Sequence, residues 1–282
     1  MPWTLSDERA CRRLERAFSN RGIPYANPAF YDTAEFLREE ERNPRILETY
    51  AHYVEARNYS EDYLADARQK VVAVIEAVRR EVKADGKPGR CVHASGIIGR
   101  MLDSLGAWNY VAKSTLTIEF SEGRGVEPIY FWAIDQGKFY APHAFVVAPP
   151  FSIIDVTVRE QPYSDDVPRD ELPDVVLAET FERVSWTPED LANEEIRIEL
   201  MARRIAFNTF LARNRPHLLE VANAVKPRAT TLGETRLKYV IVAIGGITEP
   251  LEQMHQNIAL NGRLPMQIFE NDVLPRLPRS AA

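Results

Sequence analysis

The fold is decided by the stretch Gly89-Arg-Cys91-Val-His-Ala-Ser-Gly-Ile-Ile-Gly-Arg-Met-Leu-Asp-Ser-Leu-Gly106 and by the strands that follow it as far as Thr157. From Ala94 onward its apolar residues recur at i, i+3, i+4, i+7 and i+8, a spacing that predicts one amphipathic helix with a single buried stripe. Cys91 begins this helix, and Gly106 ends it. The stretch therefore predicts a cysteine at the N-terminal end of a buried helix.

After this helix the chain becomes rich in β-branched and aromatic residues. The predicted strands are Trp108–Phe120, Ile129–Ile134, Phe139–Ala148 and Phe151–Arg159, with turns at Ser121–Gly125, Asp135–Lys138 and Pro149-Pro150. A helix followed by hairpin-connected strands predicts an α+β fold. We expect the cysteine helix to pack on an antiparallel sheet, with further helical regions on both sides of this core.

The Pro149-Pro150 turn predicts how two of these strands pair. If it forms a three-residue loop together with Ala148, His143 lies directly opposite Asp155 on the same face. Directly opposed side chains have Cβ atoms about 4.5–5.5 Å apart, which lets a carboxylate orient an imidazole. An aspartate inside an apolar strand costs free energy unless it is paired, so Asp155 is expected to have a partner.

A cysteine at a helix start can be chemically reactive. The nucleophile is the thiolate, whereas a free thiol is mostly protonated at neutral pH, so a reactive cysteine needs surroundings that favour the thiolate. The positive end of a helix and a nearby imidazolium both favour the thiolate. Cys91 is predicted to have the first of these devices, and His143 to supply the second. The free N–H groups of the first helical turn could also hold an oxyanion. Gln69 and Arg90 are candidates for a further oxyanion donor, and neither is assigned from the sequence.

This ordered set of residues resembles the transglutaminase-like branch of the papain-like cysteine enzymes, which includes arylamine N-acetyltransferases and several bacterial peptidases. That branch has a cysteine at a helix start, then His-Ala-Trp-Val, then Asp-Pro-Thr. Here the chain has Cys91, His143-Ala-Phe-Val and Asp155-Val-Thr, with Phe and Val as the two departures. The resemblance covers about residues 60–160. It implies that Cys91 is the nucleophile, His143 the general base and acid, and Asp155 the orienting carboxylate.

Four regions are predicted along the chain: an N-terminal helical region at 1–59, a transglutaminase-like catalytic core at 60–160, an acidic linker or wrapping loop at 161–186, and a mostly helical C-terminal region at 187–282. The first region includes one long helix over about 33–57. Ser60 is predicted to cap the first helix of the core, and that helix is predicted to end near Gly86. Leu237–Ile247 is an apolar run that fits either a strand or a buried helix.

The bulk composition excludes several classes of protein. The chain has 282 residues, 45% of them hydrophobic, and a formal net charge of −6, so a buried core is expected and nucleic acid is not an expected partner. It contains no apolar run of the roughly 20 residues that a membrane span needs, and its start does not resemble a signal peptide. Two cysteines make no disulfide framework, which predicts a cytoplasmic location. No spacing such as CxxC or HExxH is present, so neither a metal nor a cofactor is expected.

These observations predict a cysteine-dependent hydrolase that cleaves an amide, peptide or isopeptide bond of a protein or peptide through a thioester. Two alternatives stay open at this point. One is an acyltransferase or transglutaminase that passes the acyl group to an amine, and the other is a non-catalytic protein-binding scaffold on the same fold. The sequence predicts neither the identity of the substrate nor the oligomeric state.

Overall fold

The computed structural model describes residues 3–135, 138–139, 142–165 and 167–278. Within these residues the helices are α1 (Glu8–Ser19), α2 (Ala34–Arg42), α3 (Ile46–Ala56), α4 (Glu61–Asp85), α5 (Cys91–Ser104), α6 (Pro188–Leu191), α7 (Glu194–Ala202), α8 (Phe207–Asn214), α9 (Pro216–Ala224) and α10 (Pro265–Ile268). The strands are β1 (Tyr110–Glu119), β2 (Ile129–Phe131), β3 (Ile134–Asp135), β4 (Lys138–Phe139), β5 (His143–Ala148), β6 (Phe151–Asp155), β7 (Val176–Ala178), β8 (Glu182–Arg183), β9 (Arg228–Leu232) and β10 (Thr235–Ile244). The predicted α+β class is confirmed.

One antiparallel sheet joins most of the strands, in the order β7-β6-β5-β1-β10-β9-β8. Along the same edge of β1, β5 pairs with its first half and β2 with its second half. β3 and β4 form a separate pair in which Asp135 lies opposite Lys138, while the two residues between them lie outside the described part. The predicted strand Phe139–Ala148 is therefore two elements, because Phe139 belongs to β4 and β5 begins at His143.

Helices cover both faces of the sheet, since alternate residues of each strand point to opposite sides. On one face, α4 and α5 pack together against Ala144 and Val146 of β5. On the other face, Phe145 of β5 and Tyr239 of β10 belong to one buried cluster with aromatic residues from the N-terminal helices: Phe18, Phe36, Tyr50 and Tyr53. Val240 and Val242 of β10 alternate with Tyr239, so they point to the opposite face, where they form a buried cluster with residues of α8 and α9.

Local capping signals place the helix that leads to the cysteine. The Ser60 side chain accepts a hydrogen bond from Tyr63 N at the start of α4, and Gly86 ends that helix with φ of +60°. Only a residue without a side chain adopts this left-handed conformation easily. The predicted boundaries of α4 are confirmed. A short turn then connects the end of α4 to the start of α5.

The predicted single helix over 33–57 is wrong. The structure has two helices there, α2 and α3, separated by Asn43-Pro44-Arg45. Proline has no N–H to donate, and it disfavours helical backbone in the residue before it, so the helix stops at this point. The two helices can then turn independently toward the aromatic cluster.

Strands also come from the second half of the chain. The stretch 161–186, predicted as a linker or wrapping loop, supplies β7 and β8 at the two ends of the sheet. The apolar run Leu237–Ile247 is a strand for most of its length, and as part of β10 it pairs directly with β1 from Ala112–Ile244 to Glu119–Arg236. The prediction for 187–282 as mostly helical did not include β9 and β10.

None of the described helices combines the length and the apolar composition that a bilayer crossing requires.

Candidate active site

Cys91 is the first residue of α5. The N-cap residue Arg90 provides no side-chain hydrogen bond to the helix, since a guanidinium has no acceptor, and its Nε lies 3.6 Å from an Asp85 oxygen instead. Gly89 N donates to Glu160 O at 3.1 Å, which ties the turn before Cys91 to the segment after β6. The cysteine therefore stands at the positive end of a helix whose first turn has no side-chain cap.

The predicted histidine and aspartate lie close together in the structure. His143 Nε2 is 2.5 Å from Asp155 Oδ2. The exposed fractions of the residues are 0% for His143, 2% for Asp155 and 3% for Cys91. Cys91 Sγ lies 3.8 Å from the carbonyl oxygen of Pro142, the residue before His143. The structure thus brings all three predicted site residues to the beginning of β5.

The predicted register that led to this pair is nevertheless wrong. β5 and β6 are joined by a two-residue turn, with Ala148 opposite Phe151, and the register shifts before Val146 pairs with Ile154. Continuing from Val146–Ile154 places Asp155 opposite Phe145, so His143 and Asp155 are diagonal neighbours on one face. Diagonal neighbours remain within reach of a long or aromatic side chain, and the imidazole spans the gap.

The Asp155 carboxylate has partners on both oxygens. Oδ1 accepts hydrogen bonds from Thr157 N at 2.8 Å and Thr157 Oγ1 at 2.9 Å, and Oδ2 accepts one from the Tyr239 hydroxyl at 3.1 Å in addition to its contact with His143. Burial alone would raise the pKa of Asp155, but His143 and Thr157 outweigh burial and lower it below its usual value. Asp155 is therefore an ionised carboxylate held in one orientation.

His143 is charged because of this carboxylate. Burial disfavours the protonated imidazole, but the charge and hydrogen bond of Asp155 outweigh burial, and Cys91 acts in the same direction, raising the pKa of His143 to about 10. The site therefore holds an imidazolium at neutral pH. This is the second of the two devices that favour a thiolate.

The second ring nitrogen of His143, Nδ1, is available to Cys91. Since Nε2 is occupied by Asp155, Nδ1 is the free nitrogen, and it has no hydrogen-bond partner among the described residues. Cys91 still acts on the pKa of His143 through hydrogen bonding and charge, so the sulfur is close to the ring without an aligned hydrogen bond. Catalytic hydrogen bonds are often loose before substrate binds.

Two residues near this group were missed from the sequence. Tyr239 of β10 packs its ring 5.9 Å from His143 and 4.9 Å from Phe145, between ring centroids, and its hydroxyl reaches Asp155. Ser114 of β1 pairs with His143 in the sheet. Alternation within each strand indicates which residues share a face, but no local signal shows that β10 and β5 both neighbour β1.

Gln69, one of the two candidate oxyanion donors, does not lie at the site. It is exposed on α4 and lines a groove with Arg68 and Arg276. At 1.5 Å per residue it lies about 24 Å along the axis from the end of α4 that leads to Cys91.

Two open spaces flank the site region. A groove of about 590 Å³ lies beside the turn before Cys91 and is lined in part by Pro88, Glu160 and Tyr163. A more apolar cavity of about 500 Å³ lies beside α5 and is lined in part by Gly96. Across the described ranges, no group of three or more His, Cys, Asp and Glu side chains is arranged to hold a metal ion.

Comparison with known proteins gives no match. No protein-family model, no curated protein and no solved structure is similar to this chain. The candidate function therefore depends on the geometry of Cys91, His143 and Asp155.

Proposed function

We propose that this protein is a cysteine-dependent hydrolase, with a papain-like core of the transglutaminase-like type, that cleaves an amide, peptide or isopeptide bond through a thioester. The observation that carries the proposal is the buried His143–Asp155 ion pair beside Cys91 at the start of α5. A buried imidazolium next to a helix N-terminal thiol is the environment in which a cysteine acts as a nucleophile.

In the proposed reaction, the Cys91 thiolate attacks the carbonyl carbon of the substrate. The carbonyl oxygen becomes an oxyanion near the free N–H groups of the first turn of α5. Protonated His143 then gives its Nδ1 proton to the leaving amine as the carbon–nitrogen bond breaks, and a thioester with Cys91 remains. His143, now neutral, takes a proton from water, the resulting hydroxide attacks the thioester, and the carboxylic acid leaves as the thiolate–imidazolium pair is restored.

Asp155 serves this cycle without exchanging a proton itself. Its hydrogen bond to Nε2 holds the ring so that Nδ1 is the nitrogen available to Cys91, and its charge stabilises the imidazolium in the resting state. Tyr239 and Thr157 hold the carboxylate in turn. Among the described residues the buried Nδ1 has no aligned hydrogen-bond partner, a cost that favours a catalytic role for the ring over a scaffold.

The proposed substrate is a protein or peptide, and the proposed location is the cytoplasm. The location follows from chemistry: Cys11 and Cys91 are both free thiols, and a thiolate nucleophile persists in a reducing compartment.

The test compares the wild-type protein with Cys91→Ala and Cys11→Ala, each incubated with a cell lysate in H₂¹⁸O. Mass spectrometry should find new ¹⁸O-labelled carboxyl groups in the wild type and in Cys11→Ala, but not in Cys91→Ala. Lysine-linked or amine-linked products without ¹⁸O would identify transfer to an amine instead. Identical products from all three proteins would overturn the proposal in favour of the scaffold.

Thiol labelling gives a second, substrate-free test. Burial and the neighbouring Glu15 carboxylate raise the pKa of Cys11 to about 11, so at pH 7 only about one molecule in 10⁴ carries that thiolate. Cys11 is nevertheless more exposed than Cys91. We expect iodoacetamide to modify Cys91 faster than Cys11, because the start of α5 and the imidazolium of His143 are both groups that favour a thiolate. Faster labelling of Cys11 would mean that exposure, not ionisation, controls both thiols.

A further inference from the structure

A cavity of about 500 Å³ lies beside α5, and none of the three candidate site residues lines it. Its walls come from α2, α3, α5, β1 and the chain that follows β10. Much of the lining is apolar: Leu37, Leu47, Val111, Ile244, Ile247 and Pro250. A concave, mostly apolar space of this volume with a few polar groups is typical of a site for a small molecule.

One charged group in these walls, the guanidinium of Arg100, is already fully used by the protein. Its acceptors all belong to two segments that line the cavity: Tyr31, both oxygens of Asp32, and the carbonyl oxygens of Ile247 and Thr248. A guanidinium has five N–H groups, and these contacts occupy all of them. Arg100 therefore holds the walls together and has no donor left for a ligand.

Two other charged side chains that line the cavity have no partner. Lys113 on β1 and Glu40 on α2 are each partly buried, and neither makes an ion pair or a hydrogen bond within the described part of the chain. Burial and the nearby Asp32 carboxylate raise the pKa of Glu40. Charges that are partly removed from water are normally paired, so this cation and this anion need an explanation.

These two charges belong to different walls of the cavity. Lys113 lies opposite Ala144 in the sheet and alternates onto the same face as Val111, which is the face that α5 covers. Glu40 lies one turn after Leu37, so both side chains are on one side of α2. Because Lys113 and Glu40 do not pair with each other, both remain available to a molecule that enters the cavity.

Backbone donors are also available in the chain after β10. Gly245 N donates to Val111 O at 3.0 Å, but the N–H groups of Gly246, Ile247 and Thr248 make no hydrogen bond to any described residue. This segment lies tightly on β1, since a Cβ on Gly246 would be 2.9 Å from Val111 Cγ2. An ammonium and free backbone N–H groups along one cavity suit a carboxylate, because each donates a charge-assisted hydrogen bond.

We propose that this cavity is a binding site for a small zwitterion with an apolar body, of the class of an apolar amino acid or dipeptide. The ligand carboxylate binds Lys113 and the free N–H groups after β10, its ammonium binds Glu40, and its side chains contact the apolar lining. A ligand with only one charge would leave Lys113 or Glu40 without a partner. The site is independent of the proposed chemistry at Cys91, and no covalent bond forms in it.

The test uses three probes that differ only at their charged ends. They are L-leucyl-L-leucine, its N-acetyl derivative, which lacks the ammonium, and its amide, which lacks the carboxylate. Isothermal titration calorimetry on the full chain measures each affinity. Methyl NMR signals of Leu37 and Ile247 show whether a probe enters the cavity, since both residues line it.

Two variants remove the proposed contacts, Lys113→Met and Glu40→Gln. Their matched controls are Lys226→Met, which changes a lysine in a separate groove, and Glu41→Gln, which changes the neighbour of Glu40 on α2. Thermal unfolding verifies that each variant is folded. The three probes also test the inference on the wild type alone, without any variant.

We expect the wild type to bind the dipeptide at least about 10-fold more tightly than either derivative, with shifts of both methyl signals. Lys113→Met should weaken dipeptide binding by a similar factor and remove the preference over the amide. Glu40→Gln should do the same for the preference over the N-acetyl derivative, and the controls should keep the wild-type affinity. The inference is overturned if the dipeptide does not bind, if a derivative binds as tightly, if the methyl signals do not move, or if the controls lose affinity equally.

Discussion

Replacing Asp155 by Asn should reverse the charge state of His143. In the wild type the carboxylate outweighs burial and raises the pKa of His143 to about 10. Asparagine keeps the shape of the side chain but removes its charge, so burial then acts against the imidazolium with far less opposition. We expect the pKa of His143 to fall to about its ordinary value of 6.5 or lower, which is a drop of three or more pH units.

The same substitution should cost stability, by about 3–5 kcal/mol, because it leaves one member of a buried ion pair without its partner. The sign follows from linkage. A folded pKa raised from 6.5 to about 10 gives His143 a stabilising contribution that is complete below pH 6.5 and is lost as pH rises through 10. The lowered pKa of Asp155 gives a contribution that is present above about pH 3.8 and is lost as pH falls through the folded value.

The assay is a ¹⁵N NMR titration of the histidine rings, combined with urea unfolding at several pH values. The chain has five histidines, and a His143→Gln variant identifies the signal of interest. The free-energy difference between wild type and Asp155→Asn should be largest between about pH 4 and 6.5 and should shrink toward pH 10. A wild-type His143 that titrates near pH 6.5, or a titration that Asp155→Asn leaves unchanged, would refute the reasoning.

Two further substitutions test contacts around the site. Tyr239→Phe removes one of the hydrogen bonds to the Asp155 carboxylate, and urea unfolding should show a loss of about 1.5–3 kcal/mol with an unchanged m value; no loss would mean that the bond does not form. Gly96→Ala would place a Cβ 2.5 Å from Ile247 Cγ1, so we expect about 1–3 kcal/mol of destabilisation, recovered in part by adding Ile247→Ala. Gly123→Ala, with open space around it, is the matched control and should be close to neutral.

The two helices around Cys91, α4 before it and α5 that it begins, could largely be predicted from local residues. Ser60 and Gly86 delimit α4 because a hydroxyl and a missing side chain satisfy the ends of a helix without help from distant residues. Apolar spacing likewise predicted the buried stripe of α5. Pro44 carried an equally local signal, and the predicted helix over 33–57 was wrong because that signal was not used.

The pairing of His143 with Asp155 was correct for a reason different from the predicted one. Alternation placed both residues on one face, and that much is local. The register depended on the turn, and the structure has a two-residue turn followed by a shift where three loop residues were predicted. The contact survived because a diagonal neighbour is still within reach of an imidazole.

By itself, the sequence determined the ends of α4 and the faces of the strands, because each depends on residues a few positions apart, and it identified Cys91, His143 and Asp155 as candidates from their order along the chain. Only the tertiary structure placed Tyr239 and Ser114 beside them. These two residues reach the site through the pairing of β1 with both β5 and β10, which joins segments far apart in the chain. No local pattern encodes such a choice of neighbour, since it is decided by which strands bury their apolar faces best together.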